Sequence, residues 1–421
     1  LVKKFLFIGK KMADLIPYEF VGTPVDNIDN NITFPTNLFP RTYNKILFHD
    51  SIFDFYPSLE ISLKDETGII IDKVFFIEGL EWNFKFGSTE QKIIRKEKSE
   101  SLGYINHNYI WDKDFFENQK LSSNLSGDNT LLLVSSFFAK DDYRSRIFWN
   151  KKISEVVTTV LNDYGVIDNK KKFITTTTGN NYWPQYSILN KDFFKNLSIA
   201  AYQSSKSPFL TFFNCNGEFY FMSLVDLFKQ TSIGTYSLKY EETSTIDDWA
   251  IQDYRILHKG LSQNKKNYKN TAMRLNDDGT ITSTSYTLKD YYLKQNASKD
   301  KFFVRNKYTE NKNRRINLGI IDNDEMDIYN AKVNNLFLDS NLSFQMEIIV
   351  KYNPQAISGK IINIEINNYN NTTKMQEFVG NWLICDSQHM CNDEGMPYSK
   401  LLLIKSSIQI KKENPFYGEL I

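Results

Sequence analysis

The segment Cys385-Asp-Ser-Gln-His389-Met-Cys391 holds the densest set of soft metal ligands in the chain, two thiols and an imidazole. Structural zinc closes its shell with four such groups. The sequence suggests no fourth ligand, and Cys385 and Cys391 could meet only if the chain between them folded back. The segment therefore reads as a strand running into a loop, with two incidental thiols. The chain has four histidines, His49, His107, His258 and His389, and none belongs to a His-Glu-x-x-His pair. There is no Gly-x-Ser-x-Gly elbow and no glycine-rich phosphate cradle. Asp141/Asp142 and Glu241/Glu242 are adjacent carboxylates. Neighbouring side chains on an extended chain point apart, so these pairs read as solvated charge. The sequence thus predicts no catalytic residue, no metal and no cofactor, and function must be sought in the scaffold.

The elements that would carry that scaffold are legible as strands. Leu342, Phe344, Met346, Ile348 and Val350 alternate with polar residues, and Ile362, Ile364 and Ile366 follow the same period. Phe378–Ile384 and Tyr398–Lys405 are two further apolar runs. Period-two alternation means strands with one buried face. Four such runs in succession predict an antiparallel unit that curls or closes to hide its edges. An earlier region repeats the pattern. Leu59, Ile61 and Leu63 alternate with polar residues, as do Leu80, Trp82, Phe84 and Phe86 after Gly79, and Asn129–Phe138 is a largely apolar run.

Between the two β regions the period changes. Ile153, Val156, Val157, Val160, Leu161 and Tyr164 fall at helical spacing, with Gly165 as the stop. A second helix is expected over 190–204, capped by Asn190 or Asp192. Phe209–Phe213 and Phe219–Met222 flank Asn214-Cys-Asn-Gly217, a hairpin signal. The expected organisation is an extended arm at 1–45, a first β-barrel at 46–150, an α/β module at 151–232, a second β-barrel at 233–410 with an inserted segment at 262–320, and a polar tail at 411–421. The fold class is mainly β with an α+β insertion: two tube-like antiparallel β-barrels and a small α/β module.

The bulk composition narrows the partners. Lys+Arg is 51 and Asp+Glu is 50, a formal charge of +1, which argues against naked nucleic acid as the main partner. Aromatics at 15% suit sheet cores and large protein interfaces. Cys215, Cys385 and Cys391 supply no disulfide framework and suit a reducing compartment. Phe5–Gly9 is too short for a signal core, and no run approaches a membrane span, so no stable membrane insertion is expected. Phe20, Phe34, Leu38 and Phe39 of the arm lack a periodic pattern of their own and call for cover from a neighbour. Met326, Tyr329, Val333, Leu336 and Phe337 trace one helical face. Its default reading is a core-facing stripe. Arm and helix are the two expected subunit contacts. Lys312, Arg314 and Arg315 read as a solvated basic loop.

Several segments in order resemble the baseplate hub proteins of tailed phages, the family of the T4-type central hub and the late control D proteins. They are Ser51 through Gly79, with the strand of Trp82 after it; Arg146–Val157 with Asp163-Tyr-Gly165; Trp183-Pro-Gln-Tyr; Asn216–Phe221; Gly380-Asn-Trp382-Leu-Ile; His389; and Tyr398-Ser-Lys-Leu-Leu-Leu. The resemblance spans about 46–410, apart from a middle stretch at 262–320 that matches nothing. Its motif positions Gly79, Trp82, Gly380, Trp382, His389 and Tyr398 are structural, so no catalytic residue carries over. Arg146–Val157 corresponds to the helix that leaves the first barrel. The resemblance implies a homotrimeric ring in the virion tail that adapts a hexameric tube to a trimeric spike. Its partners would be the tail tube protein, the spike protein and the tape measure protein, with DNA only as passing cargo. Another virion tail protein, or a receptor- or glycan-binding β protein with exposed aromatics on its strands, is the competing reading. A tail-associated hydrolase comes after it.

Overall fold

The computed structural model describes residues 19–25, 43–65, 79–87, 104–112, 127–201, 208–239, 251–259, 269–275, 280–287, 304–309, 344–367, 378–391 and 397–405. Six strands come first: β1 (Glu19–Pro24), β2 (Tyr43–Ser51), β3 (Ser58–Asp65), β4 (Glu81–Gly87), β5 (Tyr104–Trp111) and β6 (Gly127–Ser135). The module follows with β7 (Tyr143–Lys151), α1 (Ile153–Leu161), β8 (Lys172–Ile174), β9 (Asn181–Leu189), α2 (Asn190–Ala200), β10 (Phe209–Phe213), β11 (Phe219–Ser223) and α3 (Leu224–Phe228). Then come β12 (Ser232–Lys239), β13 (Ile251–Lys259), β14 (Lys269–Leu275), β15 (Thr280–Thr287), β16 (Val304–Thr309), β17 (Phe344–Lys351), β18 (Ile361–Asn367), β19 (Gly380–Cys391) and β20 (Pro397–Lys405). The chain is mainly β with a helical insertion, as its alternating pattern predicts.

Twelve strands form one sheet made of two halves. The first half runs β2-β3-β6-β5-β4-β1 and the second β13-β17-β20-β19-β18-β12. Numbered within each half, both read 2-3-6-5-4-1, so the halves share one strand order. They differ at one position: β1 pairs β4 antiparallel, whereas β12 pairs β18 parallel. Each half sends one face into its own core. Phe20, Ile46, Phe48, Leu59, Ile61, Trp82, Phe84, Phe86, Tyr109, Leu131 and Leu133 fill the first. Tyr236, Met346, Ile348, Val350, Ile362, Ile364, Trp382, Ile384, Leu401 and Leu403 fill the second. The rings of Phe20 on β1 and Phe48 on β2 meet at 6.2 Å. The first half therefore coils until its two edges share a core. The expected closure into barrels is corrected: no pairing among the described residues joins β1 to β2 or β12 to β13.

The halves are spliced through β19. Gly380–Leu383 pairs with β18, and Asp386–Met390 on the same strand pairs with β2 of the first half. A register shift between Ile384 and Asp386 separates the two stretches along β20. The strand needs twelve residues because it serves two partners in turn. Cys385–Cys391 is therefore strand throughout and does not run into a loop.

The module lies between the halves. Alternate residues of β10 and β11 face opposite ways. Phe209, Phe213, Phe219 and Phe221 join α1, α2 and the outer face of the first half, while Leu210, Phe212 and Tyr220 join Ile361, Leu383, Cys385 and Ile404 of the second. A strand buried on both faces reads as a continuous apolar run, as Phe209-Leu-Thr-Phe-Phe does. Helix α1 begins at Ile153, as its helical spacing predicts; the longer helix from Arg146 that the resemblance implies is cut short, because residues 143–151 pair with β9. At α2 neither Asn190 nor Asp192 acts as cap. Asp141 reaches across to accept the Lys191 N–H at 3.0 Å, and Asn190 is buried as an acceptor for Arg146 and Gln185.

The arm corrects another expectation. Residues 19–24 form β1 within the chain's own sheet, and the Phe20 ring stacks on Phe84 at 5.4 Å. It is not a bare ring awaiting a neighbour. Phe34, Leu38, Phe39, Met326, Tyr329, Val333 and the Lys312/Arg314/Arg315 cluster lie outside the described residues. Of the 262–320 insertion, β14, β15 and β16 form a separate antiparallel sheet. No helix among the described residues is long and apolar enough to cross a membrane.

Two glycines give a test of packing. Gly79 and Gly359 have φ of +80° and +85°. A Cβ at Gly79 would meet nothing within 4 Å, whereas one at Gly359 would lie 2.8 Å from the Phe212 ring. Gly79→Ala should cost about 1–2 kcal/mol from the left-handed backbone alone. Gly359→Ala should cost about 1–3 kcal/mol more for overpacking. Urea unfolding midpoints of the two variants check the order.

Candidate functional site at the junction of the two half-sheets

Ile46, Phe48 and Asp50 share one phase of β2, and all three are fully buried. The strand thus aims a carboxylate into the interior where an apolar residue is expected. Asp50 Oδ2 accepts the Cys215 N–H at 2.7 Å, from the turn of the β10–β11 hairpin. Its Oδ1 accepts the Ser358 N–H at 3.1 Å, from the segment after β17, and the Ser387 hydroxyl of β19. Three donors from three distant parts of the chain converge on one side chain. Burial raises the Asp50 carboxyl above its ordinary value, against the pull of the three donors and of His49. The Cys215 thiol faces both Asp50 and the Tyr109 hydroxyl, and burial pushes it well up.

Residues 352–360 carry the second half into the first. Tyr352 and Ile357 belong to the core of the first half. The Tyr352 hydroxyl donates to the Phe86 carbonyl at 2.5 Å, and its ring meets Phe86 edge-on at 4.7 Å. Asn353 donates from its backbone to Ser399 Oγ and from its side chain to the Tyr236 hydroxyl. Gly359 N–H and Ile384 N–H tie this segment to β19 at 2.9 Å each. Beside Asp50, His49 Nε2 and Asp386 Oδ2 lie 2.6 Å apart across the β2–β19 seam. That hydrogen bond raises the His49 imidazole, outweighing its partial burial.

A buried histidine recurs in each half. His107 on β5 meets Ser135 Oγ of β6 at 2.6 Å, and His389 on β19 meets Ser399 Oγ of β20 at 2.8 Å. These are the fifth and sixth strands of the shared order in both halves. Burial drives both imidazoles down to about 3, so both are neutral at ordinary pH.

The metal-like segment does not assemble. Cys385 lies in the core between module and second half, while Cys391 lies in the core of the first half. His389 Nδ1 is taken by Ser399, and the described residues hold no group of three candidate metal ligands. Burial pushes the Cys391 thiol up to about 12 and Cys385 higher still. Gly79 donates its N–H to the Trp111 carbonyl, and Trp82 is core. Trp382 donates Nε1–H to the Phe378 carbonyl at 2.8 Å, beneath the Lys405 ammonium at 5.6 Å. Gly380, with φ +111°, leaves room for that lysine. Tyr398 pairs with Lys351 and Met390 between neighbouring strands. The six positions do not converge on one site. Sequence reasoning missed Asp50, although its phase with Ile46 and Phe48 marks it.

Neither a family model nor a curated protein sequence matches the chain. Among solved structures, the 43 kDa tail protein of prophage MuSo2 from Shewanella oneidensis superposes with a TM-score of 0.52 at 12% identity, covering 92% of this chain and 97% of that one. The fold is shared with a phage tail protein. A tail protein from Neisseria meningitidis MC58 gives a TM-score of 0.49 at 8% identity over 92% of this chain and 96% of that one. An E. coli component of the type VI secretion system gives 0.42 at 9% identity, over 89% of this chain and 77% of that one.

Two outcomes test the junction. Asp50→Ala strands two backbone N–H groups and a hydroxyl in the interior, and should cost about 3 kcal/mol or more. Ser387→Ala leaves the other two donors in place and should cost about 1 kcal/mol. Denaturant unfolding of both checks the ratio. For pH, His389 folds with its pKa lowered, so its stability share is full above the unfolded value of about 6.5 and is lost as pH falls toward 3. His107 acts in the same sense and Asp50, raised, in the opposite one. His389→Gln should therefore flatten the fall in stability between pH 6.5 and 4, read as the urea midpoint against pH.

Proposed function

We propose that this chain is the structural hub of a phage-type tail, a homotrimeric ring that adapts a hexameric tube to a trimeric spike and leaves a channel for DNA. One observation carries the reading. Two half-sheets of the same strand order are held in one chain, so three chains would present six related units to a six-fold tube. The fold shared with a prophage tail protein supports it. The division into 46–150, 151–232 and 233–410 belongs to this proposal, with the first and last as the tube-like units. β7 is the exception, since it pairs inside the module.

In this reading the partners are the tail tube protein, the spike protein and the tape measure protein, and the protein resides in the virion tail. It performs no chemistry. The buried histidines, thiols and Asp50 hold the core together and do not act on a substrate. The motif residues Gly79, Trp82, Gly380, Trp382, His389 and Tyr398 support the ring from within. Phe34, Leu38 and Phe39, with Met326, Tyr329 and Val333, remain proposed contacts between subunits. DNA passes without binding, so the channel wall carries no continuous run of Lys and Arg, because phosphate affinity climbs with each cation added.

Native mass spectrometry of the purified protein tests the reading. A three-chain mass is expected. A monomer that persists at high concentration and binds neither tube nor spike would overturn it.

A further inference from the structure

The two-stranded ribbon of β7 and β9 presents one face to the module and the other to solvent. Inward, Arg146 forks to Gln185 Oε1 at 2.7 Å, Asp163 at 2.6 Å and Asn190 Oδ1 at 2.8 Å, and Trp183 donates to the Lys151 carbonyl. Outward stand Tyr143, Ile147, Trp149 and Tyr186, at 70%, 40%, 67% and 61% exposure. Tyr182 joins them with its ring 4.4 Å from Trp149. The remaining large exposed hydrophobics among the described residues are scattered over other elements.

We propose that this aromatic face is where a second copy of the chain docks. It rests on the ring reading only for the number of copies. Four features fit a copy of the same chain. The face bears no Lys, Arg, Asp or Glu, and the charges at the ends of β7 are matched within the chain, Arg144 with Asp142 at 2.8 Å and Lys151 with Glu155 at 3.7 Å. An identical subunit therefore meets it without repulsion. Three aromatic side chains of about 150–250 Å² each, roughly two-thirds exposed, present with Ile147 on the order of 500 Å². Burying that area on two partners removes about 1,000 Å², the threshold for a specific interface. The ribbon is also held rigid from beneath by Arg146, so little order is lost on docking. Tyr and Trp rich and free of charge, it has the composition of an interface core. In a ring of three the face meets a different surface of its neighbour; in a two-fold pair it meets itself.

The test compares the full chain with a Trp149→Ser/Tyr186→Ser variant by sedimentation equilibrium and native mass spectrometry. Thermal unfolding serves as the control for folding. The expected result is a three-chain wild type and a variant whose dissociation constant rises at least about tenfold at an unchanged melting temperature. Hydrogen exchange of the wild type gives a second readout that needs no variant: protection of 143–151 and 181–189 should rise with concentration. A variant that assembles like the wild type, with no such protection, overturns the docking face and leaves the ring standing. A two-chain wild type that the variant dissolves upholds the face and overturns the ring. A wild type monomeric at every concentration overturns both.

Discussion

The structure depends on one buried carboxylate and the three donors that meet it. Asp50 is fully buried, where an ionised or unpaired carboxyl would be costly. Its acceptor sites are filled by a backbone N–H of the module hairpin, a backbone N–H of the segment after β17 and a hydroxyl of β19. None of these is near Asp50 in sequence. They arrive only when the module and the second half are docked on the first. The first half folding alone would leave Asp50 facing solvent or unpaired in an apolar wall. Docking and folding are therefore one cooperative event, and the junction is a place of specificity more than of raw stabilisation.

The repeated strand order explains why such a junction is needed. Each half coils its apolar face inward, and each leaves an open ladder edge, which is a liability for pairing with other chains. The β2 edge is covered by the far end of β19, which outgrows its counterpart β5 to reach it. The histidine–serine pairs of β5–β6 and β19–β20 show the shared plan surviving in the interior. The parallel β12–β18 pairing and the long β19 show where the halves have diverged.

Much of this was legible where period alone decides. Strands β3, β4, β17, β18 and β20, helix α1 with its Gly165 stop, and the β10–β11 hairpin follow from alternation, helical spacing and turn chemistry. The failures have a common cause in long-range pairing. Residues 143–151 carry no period-two pattern, with Ile147, Phe148 and Trp149 in succession, because their strand is set by pairing with β9 thirty residues on. The α2 cap comes from Asp141 and not from the local Asn190. Cys385–Cys391 looks polar because β19 there serves a seam, and a seam tolerates Asp386 and Gln388. Phe20 looked bare because β4, which covers it, follows sixty residues later. Of the junction, only Asp50 left a local trace, its phase with Ile46 and Phe48. Ser358 and Cys215 contribute backbone N–H groups, which any residue but proline could supply.

The hairpin of β10 and β11 sets how firmly the halves are held. One of its faces is packed against the first half and the other against the second. Close-packed interiors transmit displacement with little give. A rotation of one half against the other would open a void on one side of Phe212 or crowd the other, while pulling Cys215 off Asp50. The continuous ladder through β19 opposes the same motion from below. For the proposed ring this rigidity has a function. Six units can match a six-fold tube only if the two within each chain keep a fixed spacing, and a hinged linker between them would let that spacing drift. The buried polar clasp and the two-faced hairpin hold the spacing, which is a reason for the module to lie between the halves.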